Sequence, residues 1–142
     1  MERVVYNRSS INFNIQPSRT CLINVAAHTS PCIDFSKTLS TLLDLEKNKI
    51  SFIQDKNKPD HWYIEIDNSE NGLQLKKDHH GRHSFRSVNF IRLFYQSTGL
   101  TIEKRYSIQV SREPIDGLYA IITKSATCRS DKKTKIHKLQ QA

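Results

Sequence analysis

The chain contains two similar segments, Ser51-Phe-Ile-Gln-Asp-Lys-Asn-Lys-Pro-Asp-His-Trp-Tyr-Ile-Glu-Ile66 and Ser107-Ile-Gln-Val-Ser-Arg-Glu-Pro-Ile-Asp-Gly-Leu-Tyr-Ala-Ile-Ile122. They align without a gap, and serine, aspartate, tyrosine and isoleucine recur at the same spacing. In each segment a run of high β-propensity is followed by a loop with proline and aspartate and then by a second such run, which is typical of a β-hairpin. The sequence therefore predicts two copies of one hairpin unit.

The similarity extends upstream of both hairpins. Ile33-Asp-Phe-Ser-Lys37 matches His83-Ser-Phe-Arg-Ser87, and each phenylalanine precedes an apolar stretch with helical spacing. Ser36 and Ser87 are predicted helix N-caps, and Gly99 is a predicted helix end. Because a small repeated unit can bury its apolar face against its twin, we expect an α+β fold. It is a tandem β-α-β-β repeat that forms one pseudo-two-fold domain with a mainly antiparallel sheet and two short helices.

A chain of 142 residues is long enough for a single domain. We expect this domain to comprise residues 1–124. Its two repeats cover about residues 11–66 and 73–123, with a predicted first strand at residues 11–15. Residues 125–142 are basic and lack apolar periodicity, so we expect a flexible tail there.

The charge is positive and unevenly distributed. Lysine and arginine number 22 against 14 aspartates and glutamates, which gives +8. The tail carries about half of this excess. A basic protein with a basic tail favours polyanionic partners, chiefly nucleic acid, and a solvated surface with a solubilising tail is the alternative.

The cysteines and the hydropathy pattern indicate a soluble protein of the cytoplasm. Cys21, Cys32 and Cys128 fit neither a CxxC metal site nor a disulfide framework, so reduced thiols are expected. No apolar run approaches the roughly 20 residues that a membrane-spanning helix needs, and no signal segment is recognisable, so no membrane partner is expected.

No motif in the chain indicates catalysis. A glycine-rich phosphate loop, an HExxH pair and a nucleophile elbow are all missing from the sequence, so we expect neither an enzyme nor a cofactor. His79, His80 and His83 lie on a predicted turn at a spacing that does not match a zinc motif, and no metal site is expected.

The stretch Ile33-Asp-Phe-Ser-Lys-Thr-Leu-Ser-Thr-Leu-Leu-Asp-Leu-Glu-Lys-Asn-Lys-Ile-Ser-Phe52 resembles the AbrB-like swapped-hairpin family of DNA-binding proteins. The glycine that usually follows the helix in this family is replaced by Asp44 in the first copy, and Gly99 keeps it in the second. The matching positions are Lys37, Leu39, Leu42, Leu43, Leu45, Ile50 and Phe52, and more weakly Phe85, Arg86, Phe90, Ile91, Leu100, Tyr106 and Ile108.

The resemblance implies a fused pseudo-dimer, since in that family two chains interleave their hairpins into one DNA-binding unit. It implies binding of DNA rather than RNA and a role in transcription control, and it leaves a homodimer open. Basic residues ahead of the helices are the expected phosphate contacts, namely Arg19, Lys37, Arg82 and Arg86. The tail adds Lys132, Lys133 and Lys135.

Aromatic residues beside basic ones suggest a second way of binding nucleic acid. Trp62 and Tyr63 are candidates for stacking unpaired bases, with Lys104 and Arg105 holding the backbone. Aromatic residues at alternating strand positions are also common in cores, so burial is the alternative reading for Trp62. The rival function is a protein-interaction or assembly module that works through an exposed sheet edge or apolar patch without binding nucleic acid.

Overall fold

The computed structural model describes residues 20–129, and within this range the chain folds as an α+β unit. Helices α1 (Lys37–Leu43) and α2 (Val88–Thr98) each lie between two pairs of strands. The strands are β1 (Leu22–Ala26), β2 (Cys32–Phe35), β3 (Ile50–Gln54), β4 (Trp62–Ile66), β5 (Lys76–Lys77), β6 (His83–Phe85), β7 (Tyr106–Val110) and β8 (Leu118–Cys128).

All the strands belong to one antiparallel sheet with the order β3-β4-β8-β7-β1-β2-β6-β5. The sheet curls until its two edges meet ahead of β5. There the Ile50 amide donates to the Leu73 carbonyl at 3.1 Å, and the Leu73 amide donates to the Ile50 carbonyl at 2.7 Å. These two hydrogen bonds connect the β3 edge to the segment that leads into β5.

An aromatic cluster fills the inside of the curl. The Phe90 ring of α2 lies 4.8 Å from Phe52 of β3 and 5.9 Å from Phe85 of β6. Trp62 packs against Phe94 with ring centroids 5.5 Å apart, and its indole N–H donates to Ser97 Oγ at 2.8 Å. Helix α2 thereby joins strands from both ends of the sheet order.

Both helices begin and end in the same way. Ser36 and Ser87 are the N-caps, and each hydroxyl accepts a hydrogen bond from the amide three residues later. Asp44 and Gly99 follow the last turns with left-handed φ angles of 50° and 74°. Asp44 therefore adopts the conformation that glycine usually supplies, which aspartate tolerates better than most residues.

The predicted hairpins, both N-caps and the helix end at Gly99 are confirmed. The structure differs from the expected β-α-β-β unit in two details. Two strands precede each helix, and β8 continues to Cys128. Residues 125–128 therefore belong to the sheet and not to a tail. The strand predicted at residues 11–15 lies outside the described residues.

None of the helices in residues 20–129 is long and apolar enough to cross a membrane.

Gly72 lies beside the Ile50–Leu73 bridge, where the chain approaches Asp67 and Lys49 closely. A Cβ at this position would lie 1.9 Å from the Asp67 carbonyl oxygen and 2.8 Å from Lys49 Cβ. The Asp67 carbonyl oxygen is a backbone atom and the Lys49 Cβ is attached directly to the backbone, so an added methyl group would push Leu73 away from Ile50.

We expect Gly72→Ala to lower the free energy of unfolding by about 3 kcal/mol, since the clash involves backbone and not a movable side chain. Gly99→Ala is the matched control, because its Cβ would meet open space and only the positive φ of 74° opposes it, at a cost of about 1 kcal/mol. Urea denaturation measures both changes. Equal losses in the two variants would contradict the steric explanation.

His83 of β6 faces the inside of the sheet and is 4 % exposed. Its Nδ1 has no hydrogen-bond partner among the described residues. Burial lowers the pKa of His83, and Lys77 lowers it further. The folded protein therefore holds the neutral imidazole more favourably than the unfolded chain does.

The pKa of His83 in the folded protein is below the ordinary value of 6.5. The neutral imidazole therefore does not oppose folding above pH 6.5, and the free energy of unfolding decreases as the pH falls below 6.5. We expect His83→Leu to lose less stability between pH 7.5 and 5 than the unmodified chain, by urea denaturation at each pH. His79→Gln, a change on the exposed turn, should keep the original pH dependence. The same acid sensitivity in His83→Leu would assign the effect to another group.

Candidate nucleic-acid interface

A row of arginines and short side chains crosses the outer surface of β6, β2, β1, β7 and β8. Cys32 pairs with Ala26 in the register of β1 and β2. Extending the β2–β6 register by one residue places Arg86 beside Cys32, and extending the β1–β7 register by one residue places Arg105 beside Ala26. The Arg129 amide donates to the Arg105 carbonyl at 2.8 Å, which brings Arg129 to the end of the row. We call these five residues the arginine face.

A parallel row of polar side chains lies next to the arginine face. The strand registers align Ser84 with Asp34, Asp34 with Asn24 and Asn24 with Ser107. Ser107 Oγ donates to Asn24 Oδ1 at 2.7 Å. The neighbouring residues along each strand point inward and are buried or partly buried, for example Ile33 at 0 % exposure. Strand alternation thus separates an apolar interior from a polar outer surface.

Asp34 is a half-buried carboxylate among these cations. Burial raises its pKa, while Arg82, Arg129 and Arg86 act in the opposite direction and Asp78 adds to the rise. The nearby arginines therefore act electrostatically on the Asp34 carboxylate.

The arginines of this surface have no carboxylate partner at 4.0 Å or less within residues 20–129. In that range Lys77 forms an ion pair with Glu46, and His61 Nε2 lies 4.0 Å from Asp60 Oδ1. Side chains at Arg86, Arg105 and Arg129 are exposed. Their guanidinium groups are available to an anionic partner.

Cys32 is unsuited to act as a nucleophile. Burial raises the pKa of its thiol, Asp34 raises it further, and Arg86 and Arg105 oppose the rise. Because the thiolate is the reactive form, a raised pKa lowers the reactive fraction of this thiol. Within the arginine face Cys32 acts as a short side chain.

The structure brings together only some of the predicted phosphate contacts. Arg86 and Arg105 belong to the arginine face, and Arg82 acts on Asp34 beside it. Lys37 is exposed at the start of α1, and its Cε lies 3.9 Å from the Cβ position of Gly81, next to Arg82. Arg19, Lys132, Lys133 and Lys135 lie outside the described residues.

The remaining predicted residues lie elsewhere. Lys104 is exposed beside Arg105, and its carbonyl accepts a hydrogen bond from the Tyr95 hydroxyl at 2.8 Å. Trp62 is 3 % exposed and packs against Phe90 and Phe94, so its ring offers no free face to a base. Its suggested stacking role is corrected to a core role, because the indole sits at an inward strand position.

Tyr63 lies on the other face of the sheet from Trp62, since neighbouring residues of a strand alternate. Its partners in the register are Ile53 and Ala120. Tyr63 therefore lies on β4 between β3 and β8, away from the arginine face.

Sequence reasoning missed Arg129 as a site residue because it assigned everything beyond Lys124 to a tail. In the structure β8 continues to Cys128, and its register with β7 shifts between Ser107 and Gln109, which interrupts the alternation. The signal present in the sequence was weak, since Ser125, Ala126 and Thr127 lack the apolar period of an ordinary buried strand.

The histidines of the β5–β6 turn do not converge. His79 and His80 pack with ring centroids 4.0 Å apart, whereas His83 points into the core. Within residues 20–129, no group of three His, Cys, Asp or Glu side chains is arranged to hold a metal ion.

Comparison of the chain with protein-family models, with curated proteins and with solved structures finds no match. The interpretation of this surface therefore depends on its own chemistry.

Asp34→Asn tests the electrostatics of the polar row. Because the folded pKa is raised, the ionised carboxylate disfavours folding once the pH exceeds the ordinary aspartate value of 3.8. We expect Asp34→Asn to raise the free energy of unfolding at pH 7, with the difference vanishing toward pH 3. Urea denaturation at several pH values measures this, with Glu70→Gln as an exposed control. A less stable variant at pH 7 would mean that the arginines stabilise the carboxylate more than burial opposes it.

Proposed function

We propose that the protein binds nucleic acid without catalysing a reaction, and that the arginine face holds the phosphate backbone. The observation that carries this proposal is the alignment of Arg86, Arg105 and Arg129 across one sheet surface, exposed and without carboxylate partners in the described range. Guanidinium groups match phosphate oxygens with two parallel hydrogen bonds, which suits them to this contact.

The shape of the surface supports the same conclusion. Ala26 and Cys32 lie between the arginines and extend little from the sheet. Ala26 is only 8 % exposed, so a phosphate would meet the longer cationic side chains rather than the backbone. Asn24, Asp34 and Ser107 in the adjacent row supply neutral and acidic hydrogen-bonding groups, which are suited to base edges rather than phosphates.

We also propose that the domain consists of two copies of one unit. When the Ile50–Leu73 bridge is counted as closing the sheet between β3 and β5, exchanging β1–β4 for β5–β8 gives every strand the equivalent neighbours, since β1–β2 corresponds to β5–β6 and β3–β4 to β7–β8. The β1–β7 pairing then corresponds to the Ile50–Leu73 bridge ahead of β5. The matching helix caps agree with this correspondence.

Two interleaved units in one chain are what the AbrB-like resemblance implies. That resemblance favours duplex DNA as the partner and a transcriptional regulator as the role. It rests on packing positions, and the arginine face is an independent argument from charge.

Fluorescence anisotropy of labelled duplex DNA with the full chain tests the proposal over a salt series. We expect the variant Arg86→Gln/Arg105→Gln/Arg129→Gln to bind at least about tenfold more weakly at low salt, with the slope of log K against log salt reduced by about one for each lost phosphate contact. The matched control, Lys47→Gln/Lys58→Gln/Arg92→Gln, removes equal charge from exposed positions elsewhere and should stay within about twofold.

Equal weakening in both triple variants would mean that only net charge matters, and the proposed surface would be wrong. Loss of all binding when Lys132, Lys133, Lys135 and Lys138 are changed to glutamine would assign binding to residues outside the sheet. Single-stranded DNA of the same length measures the preference between strand forms.

A further inference from the structure

Two shallow hollows adjoin on the outer face of the sheet, where β3, β4 and β8 lie side by side. Their volumes are about 390 Å³ and about 260 Å³. Tyr63 and Ala120 line both hollows, so the two hollows form one continuous depression. We call it the outer trough.

The floor of the outer trough is apolar. The strand registers pair Ile53 with Tyr63 and Tyr63 with Ala120, which places these three side chains in one row. Ile115 and Ile122 also line the trough, with 77 % and 41 % of their surfaces exposed. Exposed aliphatic surface along a concave apolar floor is typical of a site that another segment covers.

The rim of the outer trough is mainly acidic. Asp55 comes from the end of β3, and Glu113 and Asp116 come from the loop between β7 and β8. Among the described residues that line the trough, Lys124 is the only lysine or arginine. The rim therefore favours a segment of positive charge.

The chain enters β1 beside the outer trough. The Val110 amide donates to the Cys21 carbonyl at 2.9 Å, and the Ser111 amide donates to the Ala120 carbonyl at 2.8 Å. Cys21 therefore lies two strands away from Ala120, or about 10 Å at the usual strand spacing. The 19 residues that precede Thr20 connect to the sheet at this place.

These 19 residues contain a segment that matches the floor. In Ile11-Asn-Phe-Asn-Ile15 the apolar residues alternate with asparagine, so Ile11, Phe13 and Ile15 share one face when the segment is extended. The 19 residues include three arginines and one glutamate. Their charge is therefore opposite to that of the rim.

The length of the chain allows this segment to reach the trough. Ile15 precedes Cys21 by six positions, and an extended chain of that length spans up to about 20 Å, twice the distance to Ala120. Residues 11–15 span about 13 Å when extended, while β8 and β3 are about 10 Å apart across β4. The segment is therefore long enough to cover the whole row of floor residues.

We propose that residues 11–15 of the chain itself lie across the outer trough and cover its floor, an intramolecular contact that goes beyond the binding of nucleic acid. The segment crosses the strands and does not pair with them. Ile15 lies nearest β8, Phe13 lies over β4 and Ile11 lies nearest β3. All three apolar side chains face the floor, and the two asparagines face water.

The arginines flank this apolar segment and do not alternate with it. Arg19 lies on the side where the chain enters β1, near the loop that contains Glu113 and Asp116. Arg8 lies on the opposite side, near Asp55 at the end of β3. Opposite charges therefore meet at the two ends of the trough, where each exposed pair contributes modestly.

The N-terminal segment is favoured over other occupants by its point of attachment. The residues beyond Arg129 start near Arg105, to which Arg129 donates a backbone hydrogen bond, and Arg105 precedes β7, whereas Val110 ends it. About 17 Å of strand separates these two places. A short tether also gives residues 11–15 an effective concentration in the millimolar range at the trough, which exceeds that of a second copy or a separate protein in dilute solution.

Photocrosslinking of the full chain without nucleic acid locates the segment. The variant Phe13→p-benzoylphenylalanine is irradiated, and its products are mapped by mass spectrometry. We expect crosslinks within one chain to the peptides that contain Ile53, Tyr63 and Ala120, at least about tenfold more abundant than those from Tyr6→p-benzoylphenylalanine.

Chymotrypsin digestion of the full chain measures how often the segment leaves the trough. Cleavage after Phe13 requires the segment to be undocked, and cleavage after Tyr6 in the same digest is the internal reference. We expect Ile115→Ser to raise the rate of cleavage after Phe13 about fivefold, because it removes apolar surface from the trough. The matched control, Leu93→Ser, removes a similarly apolar side chain that is 47 % exposed on α2, and should stay within about twofold.

Crosslinks that join two chains would overturn the proposal, because a second copy would then occupy the trough. Crosslinks outside the trough, or equal yields from the probes at positions 13 and 6, would also overturn it. The same holds for equal cleavage rates in Ile115→Ser and Leu93→Ser. These variants leave the arginine face unchanged, so failure of this proposal and failure of nucleic-acid binding are distinguishable.

Discussion

Packing of Phe90 against Phe52 and Phe85 is the interaction on which the rest of the structure depends. Phe52 lies on β3, at one end of the sheet order, and Phe85 lies on β6, next to the other end. Their rings are nevertheless 6.0 Å apart. A flat sheet cannot bring these strands together, so burial of the three rings requires the sheet to curl. The bridge between Ile50 and Leu73 closes the same curl with backbone hydrogen bonds.

The curl determines which residues meet at the surface. Once the inward positions are occupied by apolar side chains, alternation sends their neighbours outward, and adjacent strands align those neighbours in rows. On β6, β2, β1, β7 and β8 the rows contain arginines and short polar residues. On β3, β4 and the start of β8 they contain Ile53, Tyr63 and Ala120. One fold thereby presents two surfaces of different chemistry.

Local features of the structure were predictable because nearby residues decide them. The β3–β4 hairpin follows from two alternating runs around a proline-containing loop, and the helix starts follow from Ser36 and Ser87. Asp44 shows the limit of this reasoning. The absence of the usual glycine suggested a departure from the family's helix end, yet Asp44 adopts the left-handed φ that glycine would supply. Trp62 and Tyr63, neighbours in sequence, lie on opposite faces, and the burial of one and not the other depends on what α2 covers.

The sequence by itself determined the two hairpins, both helices with their N-caps and the excess of positive charge. These depend on contacts within a few residues, where periodicity and propensity act. Only the tertiary structure decided that Arg86, Arg105 and Arg129 share one surface, because they are 19 to 43 positions apart in the chain and their strands are connected through β1 and β2. Side chains so far apart meet through strand order and register. Burial of the aromatic interior selects that order, and no local pattern encodes it.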